Sequence, residues 1–568
     1  VQGGLLKTNY ELLDAKASTG LGVSVAKGKF ASIQLESLEG VQGPYKVQGP
    51  NNERFVVILA GSEKVFIDGK LLTRGYNFDY VIDYNLGEIT FTNRVLITKY
   101  TRIRVDFEFS DQNYSKSILT ASHEQRWKKT KIFVNAYSEK DNENRPLAFQ
   151  LSNKDKRNLS QIGDELDKAV ISGIDSVGYT ENQVLYKMVD TLDAAGMRRS
   201  ILIFSNHPDS AHYNARFTQV GFGKGEYIQS NSTLNGRVYQ WAGVDKDGVP
   251  LGDFVPDIKV VTPQKKQMLT VGLVHDLSAE DYVFAEAAFS ARDLNLYSDL
   301  DDEDNLGRAI KMGLVRTNKA IAGGRYFFSG SLTYEYTSRF FNPIDRFRYI
   351  EFDRDWSLSN EDLSVSEEDN ILNFDIEVKK DQNNLLKYKM VRRKRGQMAD
   401  GFQHQFLLAK SLGKFQFRSD LYKMNSDQLG NRSDWLRWTL DTYYQSKWLV
   451  PGYRYQVDRN EISVTSNDSI VGSAMHYAAH NFYLRSSDSA KTRFMVDLTL
   501  REDQLPQQGK IVPEDKSRTF RLGLGTDIGA NQRLDLLFTY RKLQNLRTVD
   551  VTQDLSLIHI SEPTRHIC

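Results

Sequence analysis

From about residue 266 to 545 the chain alternates with a period of two. Phe328, Gly330, Leu332, Tyr334 and Tyr336 stand against Ser329, Ser331, Thr333, Glu335 and Thr337. Phe494, Val496, Leu498 and Leu500 oppose Met495, Asp497, Thr499 and Arg501, and Leu534, Leu536, Phe538 and Tyr540 oppose Asp535, Leu537, Thr539 and Arg541. Successive side chains of a strand point to opposite faces, so each segment has an apolar face and a polar one. Polar links such as "SLGK" at 411 to 414 and "DIGANQ" at 527 to 532 separate segments of about 9–11 residues, the pattern of an outer-membrane barrel with a wet lumen. A long antiparallel β-meander is therefore predicted over 266–556, its apolar set facing lipid. A soluble sheet with one solvated face has the same period. Roughly ten to twelve consecutive strands favour closure into a barrel, left incomplete if the chain is a fragment, because open twisted sheets rarely exceed about ten. Tyr326, Trp435, Trp448 and Tyr453, near strand ends, suit interfacial girdles.

The N-terminal pattern is finer. In "KVFIDGKLLTRGYNFDYVIDYNLGEITFTN", residues 64 to 93, Asp68-Gly69 lies between apolar runs and predicts a two-residue hairpin. Asn85-Leu86-Gly87 predicts a second hairpin, with Gly87 supplying a positive φ. Phe55 to Ala60 reads as a central strand, and Ile103, Val105, Phe107 and Phe109 alternate with charges. Residues 24–112 are thus expected to form an immunoglobulin-like antiparallel β-sandwich, preceded by a remnant over 1–23. Residues 113–265 read as a mixed connector with strand-like pieces such as Lys131 to Val134. An amphipathic helix is predicted at about 152–172, where Leu159, Ile162, Leu166, Ala169 and Val170 share a face, Ser152 caps and Asp155 falls in the first turn. A second short helix is expected around 183–195. The fold class is all-β with minor α.

Composition narrows the classes. Lys+Arg 74 against Asp+Glu 73 leaves net +1, so no global field recruits nucleic acid. Mean hydropathy is −0.49 and no apolar run reaches the ~20 residues of a spanning helix. The single cysteine is Cys568. It ends the stretch "SLIHISEPTRHIC", which breaks the strand pattern and reads as a non-native, adapter-derived tail over 557–568. A body without cysteine has no disulfide, thiolate metal site or thiol nucleophile, and suits an envelope location. Val1 is no initiator, so a targeting segment and further domains are expected beyond this piece.

Candidate chemistry is sparse. His476 and His480 of "HYAAH" lie about 13 Å apart if the stretch is a strand, too far to share a metal. Asp299, Asp301, Asp302, Glu303 and Asp304 lack the ordered spacing of a calcium loop and read as a solvated hairpin loop. "DKDG" at 245 to 248 reads as a turn. Gly221, Gly223 and Gly225 imitate a phosphate loop, but no GK[ST] follows. In "RFRYIEFDRDW", Arg346, Arg348, Glu351, Asp353, Arg354 and Asp355 read either as a paired network in a lumen or docking surface, or as an exposed loop of mixed charge. Nothing brings a nucleophile, base and orienter together, so no catalytic, cofactor-binding or metal residue and no cofactor is expected.

"GPYKVQGPNNERFVVILAGSEKVFIDGKLLTRGYNFDYVIDYNLGEITFT", "ISGIDSVGY", "GRVYQWAGV" and "NPIDRFRYIEFDRDW" resemble pieces of a family of very large β-rich envelope proteins of the Bacteroidota. "DYVIDYNLGEITF" is also similar to segments of the giant barrel of the type IX secretion translocon, and the chain resembles that barrel's plug-like partner. The resemblance covers most of residues 30 to 360. It implies a non-catalytic structural or partner-binding protein of the outer membrane, its N-terminal part periplasmic, docking on or sealing a secretion translocon. The alternative expectation is a transport barrel for a solute or polymer. A TonB-dependent receptor would need an N-terminal plug domain, where this chain reads as a sandwich and a helix.

Overall fold

The computed structural model describes residues 2–26, 28–49, 56–110, 114–146, 151–181, 183–230, 237–487, 490–527, 533–547 and 552–561. A single antiparallel sheet of 19 strands dominates. Its order begins Gln2–Leu12, Ala15–Ala26, Tyr114–Arg126, Thr130–Pro146 and Lys265–Asp276, and from there each strand pairs with the next in sequence to Thr552–Ser561. Residues 1–23, expected to be a remnant, thus supply its first strand and most of its second. Residues 114–146, assigned to the connector, supply two more of its strands.

Two bodies are inserted between neighbouring strands. Residues 28–110 lie between Ala15–Ala26 and Tyr114–Arg126, which pair directly. The stretch between Thr130–Pro146 and Lys265–Asp276 forms a second insert, and those strands pair as well. Both inserts leave the same end of the sheet, as do the long connections 294–305, 338–368 and 465–474. At the opposite end every connection is two to five residues long.

The first insert is the predicted sandwich. Gly28–Leu35, Ile103–Ser110, Lys64–Ile67 and Lys70–Leu71 form one sheet, and Tyr45–Lys46, Glu88–Phe91 and Tyr80–Asp83 the other. Between them Val47, Val65, Ile89, Ile97, Ile103, Val105 and Phe107 are fully buried. Asp68 (φ 49°) and Gly69 (φ 80°) turn the first hairpin, and Gly87 (φ 63°) turns the second. Residues 56–60 of the run Phe55 to Ala60 are not a strand. Phe55 lies outside the described residues, and Ile58 makes only an isolated bridge to Phe109, because Gly61 (φ 80°) turns the chain away.

The second insert differs from expectation. The α-helix is Asn153–Leu159, with Ser152 and Asp155 closing a capping box, and Leu166–Lys168 adds only a 3-10 turn. Gly163 (φ 57°) ends any continuation, and Ile162, Ala169 and Ile171 join Leu159 and Val260 in a small core without sharing a helix face. The region 183–195 is the strand Tyr186–Leu192, paired with Arg198–Phe204, because its side chains alternate into a core of Tyr186, Leu202, Tyr227 and Tyr239.

The strand pattern does not break at Leu557. Thr552–Ser561 pairs with Arg533–Asn545 from Thr552 to Ser561, and residues 562–568 lie outside the described residues. Among the described residues no ladder joins this strand to Gln2–Leu12, so the sheet is open and not a closed barrel. It is nonetheless curved. The sandwich touches both the connection 338–368 and the strand Lys510–Asp527, which lies eight ladders beyond Asp369–Asp381, or about 38 Å along a flat sheet.

Candidate functional site: the closed mouth of the sheet

The two faces of the sheet differ in chemistry. Leu314, Leu332, Phe406, Phe482, Leu498 and Leu522 all sit on one face and are 39–49% exposed. The other face carries cross-strand polar pairs: Arg454 Nη2 to Asp441 Oδ2 at 2.6 Å, Gln405 Nε2 to Asp420 Oδ1 at 2.9 Å, and Asn481 Nδ2 to Asp497 Oδ2 at 2.7 Å. Tyr326 and Trp448 are exposed at the tight-turn end, and Tyr453 shares the apolar face with Phe482. Trp435 corrects the girdle expectation. Its position pairs it with Met424 on the polar side, where it is fully buried.

What buries Trp435 is the connection 338–368, which folds over the polar face as a strap. Arg354–Trp356 makes a 3-10 turn stopped by Ser357 (φ 56°), and Ser359 caps the short helix Asn360–Ser364. Trp356, fully buried, packs with Ile371, Val391, Tyr422, Met424 and Trp435. The side chains of wall strands reach the strap backbone: Gln403 Nε2 and Tyr422 Oη donate to the Asp355 carbonyl at 2.7 and 2.6 Å, and Gln428 Nε2 to the Trp356 carbonyl at 3.0 Å. Three ring contacts of guanidinium groups, Arg354 over Trp435, Arg437 over Tyr422 and Arg348 over Phe352, span 4.0–4.7 Å.

The six charges singled out in the sequence are all ion-paired here. Asp355 Oδ1 accepts from Arg437 at 2.9 Å, and its Oδ2 accepts from the Tyr349 hydroxyl at 2.9 Å. Asp353 pairs with Arg393 at 2.8 Å, and Arg348 with Glu335 at 3.1 Å. Glu351 is shared by Arg354 at 3.4 Å and by Arg102 of the sandwich at 3.2 Å, while Arg346 pairs with Asp106 of the sandwich. Burial and the Asp355 carboxylate push the Tyr349 hydroxyl well above its usual range.

The predicted hairpin turns divide between two roles. Asp68 pairs with Arg102 at 3.2 Å, and a Cβ on Gly69 would stand 2.9 Å from Glu351 Cγ, so the first hairpin abuts the strap. In the second, the Asn85 and Leu86 amides donate to Asp83 Oδ1 and both residues are exposed. The Gly87 carbonyl accepts from the Val47 amide at 2.7 Å within the sandwich.

On its other flank the sandwich is held by the last strands. Arg541 Nε meets Glu39 Oε1 at 2.8 Å, and Lys99 Nζ meets Asp515 Oδ2 at 2.5 Å. The Tyr100 hydroxyl also donates to Asp515, and Asn93 Nδ2 donates to the Ile558 carbonyl at 2.7 Å. These partners were not singled out in the sequence. Their signal was a period-two parity that places Trp435 on the same face as Arg437, and Asp515 on the same face as Thr519 and Arg541.

The other sequence candidates stay apart. His476 and His480 lie on one strand, Met475–Ser486, and share a face. Among the described residues no group of three His, Cys, Asp or Glu is placed to hold a metal. The loop with Asp301 to Asp304 packs near Asp164, whose carboxyl is raised to about 6 by burial and by Asp304 and its neighbours. Gly225 meets Gly252 in a bridge, an ordinary backbone contact.

By fold the molecule belongs to the large antiparallel β proteins, with a polar face covered at one end by a strap and an inserted sandwich. Residues 30–111, the sandwich, match the model of a family described as a domain of unknown function, DUF8818. A comparison with curated proteins finds no match.

Proposed function

We propose that the chain is part of a non-catalytic outer-membrane protein of barrel type, in which the sandwich and strap close one mouth of a polar lumen and present a docking surface to a protein partner. One observation carries the reading: the face lined by Leu314, Leu332, Leu498 and Leu522 is apolar and exposed along many strands, while the opposite face is polar and covered at its mouth. Exposed apolar surface on this scale marks a membrane or protein contact, and alternation with a polar interior suits a membrane strand. The chemistry required is contact and occlusion, not catalysis.

Short turns at one end and long insertions at the other match an outer-membrane barrel whose tight turns are periplasmic. On that rule the inserts face outward, the reverse of the periplasmic placement expected from the resemblance. The partner the resemblance implies is a type IX secretion translocon, and the exposed second hairpin at Asn85 and Leu86 is free to meet it. A transport channel is the second reading, favoured by the polar face.

The test is to tag the parent protein in its native host, solubilise the envelope gently and identify what co-purifies. Near-stoichiometric recovery of the translocon supports docking. Purification alone, with ion conduction in a planar bilayer, replaces docking by transport. Recovery in the soluble fraction overturns both.

A further inference from the structure

A cavity of about 680 Å³ lies where the sandwich, the strap and the wall meet, within the size range of small-molecule sites. Eight arginines and four carboxylates line it. Asp106 and Glu335, behind the lining, take Arg346 and Arg348. Glu351 serves two guanidinium groups at once, those of Arg102 and Arg354.

Two arginines remain without a carboxylate at ion-pair distance among the described residues. Arg104, on the sandwich, makes one long contact to the Ile350 carbonyl at 3.5 Å. Arg395, on the wall, donates to the Asp362 and Val365 carbonyls at 3.0 and 2.8 Å. Arg393, with a side chain 2% exposed, keeps a buried Nη1 without a hydrogen-bond partner among the described residues. Burial, and after it the nearby Arg102, lowers the pKa of Arg354.

We propose that this cavity binds a small oxyanion carrying two or more negative charges, a phosphate or sulfate group, with Arg104 and Arg395 as its principal holders. A guanidinium fork matches the oxygens of such a group in paired hydrogen bonds. Because the holders come from the sandwich and the wall, with the strap between them, the ligand also fastens the closed arrangement, by as much as it binds that arrangement better than the open one. The inference does not depend on the membrane reading, since it rests on the mouth alone.

The experiment is isothermal titration of the full chain in detergent with inorganic pyrophosphate at low ionic strength, with thermal melting alongside. Binding at one site per chain and a raised melting temperature are expected, both weakening as salt is added. Arg104→Gln, which gives up one long carbonyl contact, should bind at least roughly tenfold more weakly, and Arg395→Gln likewise if it folds. Arg198→Gln, at an exposed arginine of the second insert, should bind as the parent does. Displacement by a sugar bisphosphate points to a soluble ligand, and displacement by a short-chain phosphatidate points to a lipid headgroup. Absence of binding heat and melting shift, or unchanged binding by Arg104→Gln, overturns the proposal.

Discussion

Arg437, on the strand Asn431–Tyr444, holds Asp355 of the strap at 2.9 Å, and the Tyr349 hydroxyl shares the same carboxylate. Asp355→Asn keeps the shape and removes the charge, taking from Arg437 its ion-pair partner and leaving only the more distant Asp458. Breaking a fully buried pair costs about 3–5 kcal/mol. Arg437 is 30% exposed, so about 2 kcal/mol is expected here, roughly a thirtyfold rise in strap opening. Limited trypsin digestion reads this directly, because Arg346, Arg348 and Arg354 lie in the strap. Cleavage there should accelerate about thirtyfold while cleavage in the second insert stays constant. Equal rates would show that the Trp356 packing and the strap's other hydrogen bonds and ion pairs hold it without the Asp355 charge.

The sandwich is pinned by Arg541 and Glu39, whose side chains are 5% and 13% exposed. Arg541→Glu sets two carboxylates against each other, and hydrogen exchange over residues 93–102 should speed by at least about tenfold. Adding Glu39→Arg restores the pair with reversed polarity and should recover most of the protection. Failure of the second change to rescue would mean that Asp515 and its partners Lys99 and Tyr100 carry the docking.

Much of this was legible in local pattern, and the rest is non-local. Alternation at Phe328 to Thr337 and at Phe494 to Arg501 named both faces of their strands, and Asp68-Gly69 named its turn. The pairing of Ala15–Ala26 with Tyr114–Arg126 skips the whole sandwich, and no local period encodes a ladder closed over such a loop. The helix expected at 152–172 failed for a related reason. Leu159, Ile162 and Ala169 are spaced as on a helix, yet they converge by way of the Gly163 turn on Val260, far along the chain. The charge types of 346–355 were readable, whereas their partners Asp106, Glu335, Arg393 and Arg437 are supplied by other strands. Trp435 was misplaced by its position near a strand end, although its parity with Arg437 put it on the polar face.

Asp164 makes one junction sensitive to pH. Burial and the carboxylates of Asp304, Asp293, Asp301 and Asp302 raise it to about 6. The folded carboxyl holds its proton to higher pH than the unfolded one. The stabilisation is therefore complete below the ordinary value near 3.8 and lost as pH rises through about 6. Solvent screening limits it to about 1 kcal/mol. Hydrogen exchange in the loop 294–305 should slow as pH falls from neutral to about 5, once intrinsic rates are corrected. Asp164→Asn should flatten the dependence and protect the loop at neutral pH. A loop whose corrected protection ignores pH in the parent would exclude Asp164 as its cause.

Leu498 and Thr499 are neighbours on Thr492–Gln507 that point to opposite faces, and they separate the membrane reading from a soluble sheet. Leu498 is 39% exposed on the apolar face, while the Thr499 hydroxyl donates to Asp497 on the polar face at 3.2 Å. In a bilayer, arginine on the lipid face near the midplane costs about 2–4 kcal/mol, whereas lumen positions tolerate charge. Leu498→Arg should therefore lower the folded fraction in lipid vesicles by roughly thirtyfold or more, read by heat-modifiable gel mobility, and Thr499→Arg should assemble close to normally. In water the contrast disappears, because Leu498→Arg only exchanges an exposed leucine for a charge at little cost. Parent-like assembly of Leu498→Arg would remove lipid from the account of that face and leave a protein partner to cover it.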